Sequence, residues 1–108
     1  MNDVQIIDFK NNSVRVKVDI LGDPWFVLED VCAVLGINNS QAVADRIHDD
    51  EKGHAWIMTD GGLQETLVIN EPGLYNLVLR SDKSKAQAFH KWITNLVDAL
   101  QKEKHYER

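Results

Sequence analysis

Ser13-Val14-Arg15-Val16-Lys17-Val18-Asp19-Ile20, followed by Leu21-Gly22-Asp23 and then Pro24-Trp25-Phe26-Val27-Leu28-Glu29-Asp30-Val31-Cys32-Ala33-Val34-Leu35-Gly36, decides how this chain folds. Val14, Val16, Val18 and Ile20 alternate with Ser13, Arg15, Lys17 and Asp19, so the first part reads as a strand with one wet face. Gly22-Asp23-Pro24 turns the chain, and Trp25-Phe26-Val27 reads as a short third strand. Leu28 to Leu35 then reads as a helix, with Leu28, Val31 and Leu35 sharing a face and Cys32 and Val34 beside it. Gly36 suits a left-handed C-terminal cap.

The pattern extends outward in both directions. Gln5 to Phe9 reads as a strand joined to the second by Lys10-Asn11-Asn12, which makes a hairpin. After Gly36, the link Ile37-Asn38-Asn39-Ser40 leads to a second helix that Ser40 can cap and that runs to about Ile47. Two short helices around a Gly-containing turn outline a helix-turn-helix-like pair. His48 to Gly53 reads as a polar loop. Ala55 to Thr59 and Leu63 to Ile69 flank Asp60-Gly61-Gly62, a hairpin signal. Asn70 can cap a helix whose first turn holds Glu71 and Pro72, with Leu74, Leu77 and Val78 as its apolar stripe. A last helix starts near Ser81 to Ser84, where Ser84 and Gln87 match a capping box. Phe89, Trp92, Ile93, Leu96, Val97 and Leu100 give it a wide apolar face, and the polar stretch from Gln101 to Arg108 is expected to fray.

The expected fold class is therefore α+β: a small antiparallel sheet of hairpins packed with about four helices, including the helix-turn-helix-like pair and a long C-terminal helix. The 108 residues form one domain, 1–108, with 44 % hydrophobic and 27 % charged residues, enough for a real core. No apolar run reaches a membrane span, and no signal-peptide pattern opens the chain. The single cysteine, Cys32, excludes an internal disulfide framework and fits a reducing cytoplasm.

Formal net charge is −5, the wrong sign for an ordinary nucleic-acid binder. The charge is uneven: Met1 to Ile57 carries 5 basic and 10 acidic residues, whereas Met58 to Arg108 carries 7 of each. Arg80, Lys83, Lys85 and Lys91 stand against Asp82 alone. That group reads as a phosphate-contacting patch or as a solvated helix face. Asn38, Asn39, Ser40, Gln41 and Arg46 read as groove and phosphate contacts or as a polar turn between two packed helices. Trp25, Phe26, Tyr75, Phe89 and Trp92 lie on apolar stripes and are expected in the core, while Trp56 can face outward beside His54 and Met58. His48, Asp49, Asp50, Glu51 and His54 match no structural zinc spacing. Cys32 reads as a buried thiol. No phosphate loop or catalytic signature is present, so no enzyme activity, cofactor or metal is expected.

Several of these residues recur in a known order. Gly22-Asp23-Pro24-Trp25-Phe26-Val27, Asp30-Val31, Leu35-Gly36, Asn70-Glu71, Gly73-Leu74-Tyr75, Arg80-Ser81, Ala86, Phe89 and Trp92-Ile93 together resemble the N-terminal domain of the BRO family, which includes phage antirepressor proteins. The resemblance covers roughly Val14 to Val97 and implies an α+β domain of phage, prophage and large DNA virus regulators, associated with DNA binding. Two departures stand out. Family members end this region with a Val-Leu-Pro pattern that stops the helix, whereas here Leu96-Val97-Asp98-Ala99-Leu100-Gln101-Lys102 lacks a breaker. Leu96 and Leu100 on an extended helix would offer apolar surface to a second copy or another partner. The stretch Ser40 to Glu51, in turn, sets Arg46 against Asp45, Asp49, Asp50 and Glu51. Two functions follow: a prophage-type regulatory domain contacting DNA through Arg80, Lys83, Lys85 and Lys91, with Ser40, Gln41 and Arg46 as secondary contacts, or a protein-interaction module that captures a repressor or homodimerises.

Overall fold

The computed structural model describes residues 4–9, 12–80 and 87–95. Five strands form one antiparallel sheet: β1 Val4–Phe9, β2 Asn12–Val18, β3 Pro24–Val27, β4 Lys52–Thr59 and β5 Gly62–Ile69, in spatial order β1-β2-β3-β5-β4. Helices α1 Leu28–Leu35, α2 Ser40–Ala44 and α3 Glu71–Leu79 join a fourth helix, α4, over 87–95. The α+β class is as the residue patterns required, with the hairpins Phe9↔Asn12 and Thr59↔Gly62 closing where the turn signals lie. In the second hairpin the left-handed φ of 103° falls on Gly62.

One face of the sheet carries the main core. Val14, Val16, Phe26 and Ile69 from the strands meet Leu28, Val31 and Leu35 of α1, Leu74 and Val78 of α3, and Phe89 and Ile93 of α4. A smaller cluster of Val27, Ile57 and Val68 lies apart from it, with Trp25 packed against it. Among the aromatic residues expected in the core, Phe26 and Phe89 are fully buried, whereas Tyr75 and Trp92 are half-buried at the margin of the main core and Trp25 is half-buried against the smaller cluster. Trp56 is exposed, facing outward beside Met58 as expected. Lys17 on β2 donates to the carbonyl of Trp56 on β4, although β3 and β5 lie between them. At about 4.8 Å per strand step a flat sheet would put that carbonyl out of a lysine's reach, so the sheet is strongly bent.

Four local readings need correction. β2 ends at Val18, and Ile20, expected on the strand's apolar face, is 99 % exposed. The cause is Asp19, whose Oδ1 accepts the amides of Leu21 and Asp23 while Oδ2 accepts the Trp25 indole N–H, each at 2.9 Å. These bonds compete with the ladder and turn the chain early. α2 stops at Ala44, short of Ile47, because the amides of Arg46 and Ile47 bond back three residues, to Val43 and Ala44. Its cap is Asn39, which accepts from the Ala42 amide, and not Ser40. Finally, His48 to Gly53 is not all loop. Asp49–Glu51 form a 3-10 turn, and Lys52 and Gly53 pair with Ile69 and Val68 as the start of β4. The capping box at Ser84, Leu96, Leu100 and the stretch from Gln101 onward lie outside the described residues.

The Asp19 turn titrates. Burial pushes its carboxyl up, but hydrogen bonds from Trp25, Asp23, Leu21 and Gly22 outweigh that and hold it below its ordinary value of 3.8. A carboxyl lowered in the folded state adds stability above its unfolded value, and that share is lost as acid protonates it. Asp19→Asn should therefore melt below the native chain at neutral pH, and the gap should close as pH falls below about 3.8. A gap that stays constant across that range, in melts followed by circular dichroism, would show that the carboxylate does not hold this turn.

Candidate functional site

Gly36 takes a left-handed φ of 75°, its amide bonding Ala33 and that of Ile37 bonding Cys32, a Schellman-type stop that swings Ile37 inward behind α1. The end of α2 is held by Lys52, whose amine donates to the Ala44 carbonyl at 2.7 Å, a cation at the negative end of the helix dipole. The 3-10 turn is tied in turn to α3. The Glu51 carbonyl accepts the Asn70 amide, the Asp50 carbonyl accepts Asn70 Nδ2, and the Glu51 carboxylate accepts Asn76 Nδ2 at 3.1 Å. Asn70 also caps α3 by accepting from Gly73. Gly73 lets the two segments approach closely, since a Cβ would stand 3.0 Å from the Glu51 carbonyl oxygen.

These ties create a cleft of about 230 Å³ lined by Ile37, Val43, Arg46, Ile47, His48, Glu51, Asn76, Leu77 and Arg80. Ile37, Val43, Ile47 and Leu77 supply its apolar surface, and Arg46 and Arg80 its guanidinium groups. Arg46 follows α2 and Arg80 ends α3; both are exposed, and among the described residues neither side chain has an ion-pair partner. Opposing charge enters through Glu51 on the wall and through exposed Asp45, Asp49 and Asp50 nearby in sequence. The cleft is smaller than the roughly 300–1,000 Å³ of small-molecule sites. It can hold one or two aliphatic side chains beside an anionic group.

The two groups of candidates read separately from the sequence thus meet, because Arg46 and Arg80 line one cleft. Ser40 opens α2 and is half-exposed, Gln41 is exposed, and neither lines it. Asn39 is engaged as a helix cap, which takes its carboxamide oxygen away from base reading. Lys91 is exposed on α4, the helix whose His90 ring meets Tyr75 of α3 edge-on at 4.9 Å. Lys83 and Lys85 lie outside the described residues. Residue patterns missed Ile37, Asn76 and Leu77 as cleft walls; the one available signal was Asn76, a polar residue beside the apolar stripe of α3.

A second, more open cleft of about 390 Å³ is lined by residues including Lys17, Asp19, Trp25, His54 and Trp56, and none of the described DNA-contact candidates lines it. Among the described residues, no three His, Cys, Asp or Glu side chains converge to hold a metal, and no helix is long and apolar enough to cross a membrane. Cys32 is buried, and burial pushes its thiol up, with Glu29 adding to the effect.

A family model described as the BRO family, N-terminal domain, matches residues 13–99. An uncharacterized protein of Haemophilus influenzae is 38 % identical over 87 residues, which cover 80 % of this chain and 43 % of the relative. A putative Bro-N domain-containing protein, 201R, of Invertebrate iridescent virus 6 is 30 % identical over 105 residues, covering 77 % of this chain and 25 % of the relative. The chain thus spans less than half the length of either curated relative. No solved structure matches it.

Proposed function

This chain belongs to the BRO family, as its N-terminal domain, and from that premise we propose that it is a phage-type regulatory domain, antirepressor-like, that contacts DNA. The observation that carries the reading is the meeting of Arg46 and Arg80 in one cleft without ion-pair partners among the described residues. Unpaired guanidinium groups suit phosphate oxygens, which accept from them bidentately. Lys91 is exposed on α4, and Lys83 and Lys85 add positive charge between Arg80 and Lys91 in the sequence. The net charge of −5 opposes approach to DNA, so contact depends on these side chains being gathered on one side. The reading assigns the domain no catalysis and no cofactor.

Titration of the purified chain against fluorescent duplex DNA, at low and near-physiological salt, tests it. Binding should weaken steeply with salt, because each phosphate neutralised releases counterions. The double variant Arg46→Glu, Arg80→Glu should bind more weakly and lower the slope of log affinity against log salt by about two. An unchanged slope would remove the cleft from the interface. Absence of binding even at low salt would turn the reading to capture of a basic repressor, which the acidic first half of the chain favours.

A further inference from the structure

Ile20 and Leu21, 99 % and 70 % exposed, form the tip of the β2–β3 turn. A large aliphatic side chain with nearly its whole surface in water usually sits on a mobile loop, but this one is tightly held. The Asp19 amide donates to the Asp23 carbonyl and the Gly22 amide to the Asp19 carbonyl, both at 2.9 Å, in addition to the three bonds to the Asp19 carboxylate. Gly22 supplies the φ of 89° that closes the turn. The tip is flanked by two carboxylates. Asp19 is occupied internally, while Asp23 is exposed and has no ion-pair partner among the described residues. A rigid apolar tip loses little conformational freedom on docking. What it fits is an apolar recess with a cationic rim.

The same chain carries such a recess. The cleft of Ile37, Val43, Ile47 and Leu77, rimmed by Arg46 and Arg80, has room for aliphatic side chains and two guanidinium groups to meet a carboxylate. The 99 % exposure of Ile20 shows that the turn does not fill the cleft of its own molecule. We propose that copies of this chain associate head to tail, the Ile20–Leu21 turn of one copy seated in the Arg46–Arg80 cleft of the next, with Asp23 facing the arginines. The contact is heterologous, so a docked pair keeps one free turn and one free cleft and grows into a ring or a filament. Where the cleft also meets DNA, assembly and DNA compete for Arg46 and Arg80. That competition rests on the function proposed above, whereas the association does not.

Sedimentation velocity on the full chain, without DNA, over a rising concentration series tests the association. The native chain should gain mass with concentration and pass beyond a dimer. Ile20→Asp, which changes a side chain outside the core, should remain monomeric, as should Arg46→Glu, Arg80→Glu. Mixing the two variants should restore association and stop it at one-to-one pairs, because one supplies an intact cleft and the other an intact turn. A native chain that stays monomeric throughout overturns the proposal. So does either variant that self-associates like the native chain, or a mixture that forms no pair. Because no DNA is present, failure here leaves the DNA reading intact, and failure of DNA binding leaves this result intact.

Discussion

Replacing Phe89 with alanine should remove about 3–5 kcal/mol of stability and lower the thermal midpoint by roughly 12 °C or more. Phe89 is fully buried in the main core with Phe26, Leu74 and Ile93. Its ring stacks on Trp92 with centroids 5.4 Å apart and planes at 24°. Truncation therefore removes transfer energy, leaves a cavity between α4 and the sheet, and breaks an aromatic pair. Trp92 carries the larger ring, and its place on the apolar stripe of α4 led the sequence reading to put it in the core. It is half-buried instead, so Trp92→Ala should cost less than Phe89→Ala despite deleting more atoms. Urea or thermal unfolding of both variants decides the order. A larger loss at Trp92 would mean that α4 is turned about its axis so that Trp92, and not Phe89, faces the core.

The elements that could be read from residues alone are those whose signals are local. α1 ends where Gly36 permits a left-handed stop, and α3 begins where Asn70 and Pro72 set its first turn. Both hairpins close at their turn residues. Where local patterns failed, a competing hydrogen bond displaced the expected one. Ile20 continues the period-two pattern of β2, yet the Asp19 carboxylate takes the amides that would have extended the strand. Sheet order was not legible either, since β5 inserts between β3 and β4 through Phe26↔Ile69 and Val27↔Val68, more than forty positions apart. The cleft has the same cause. Arg46 and Arg80 line a cleft whose walls are tied by bonds from Asn70 and Asn76 to Asp50 and Glu51, contacts across twenty or more residues that no spacing rule anticipates.

Arg15 is the sharpest instance, and it supports the second large expectation. Alternation along β2 assigns it to the wet face, where a lone arginine adds little. In the structure its Nε and its own backbone N–H both donate to Asp30 Oδ2, at 2.8 and 2.9 Å, and Nη2 donates to Oδ1 at 2.9 Å. The hydrogen bond to Asp30 raises the Arg15 guanidinium above its ordinary value, burial working against it. One carboxylate thus satisfies a strand amide and a charged fork together, and it sits in the first turn of α1, where negative charge also suits the helix. Asp30→Ala should cost about 2–3 kcal/mol, because it leaves a part-buried amide and a guanidinium without their acceptor. Asp30→Asn keeps an oxygen for the amide and should cost less. In a double-mutant cycle with Arg15→Ala, the two side chains should couple by more than about 1 kcal/mol, above the range of exposed pairs. Coupling of a few tenths would reduce the contact to an ordinary surface ion pair. α1 carries Gly36 and Ile37 to the cleft, so Asp30→Ala should also weaken whatever occupies the cleft. It should do so without touching Arg46 or Arg80, which separates the placement of those residues from their charge.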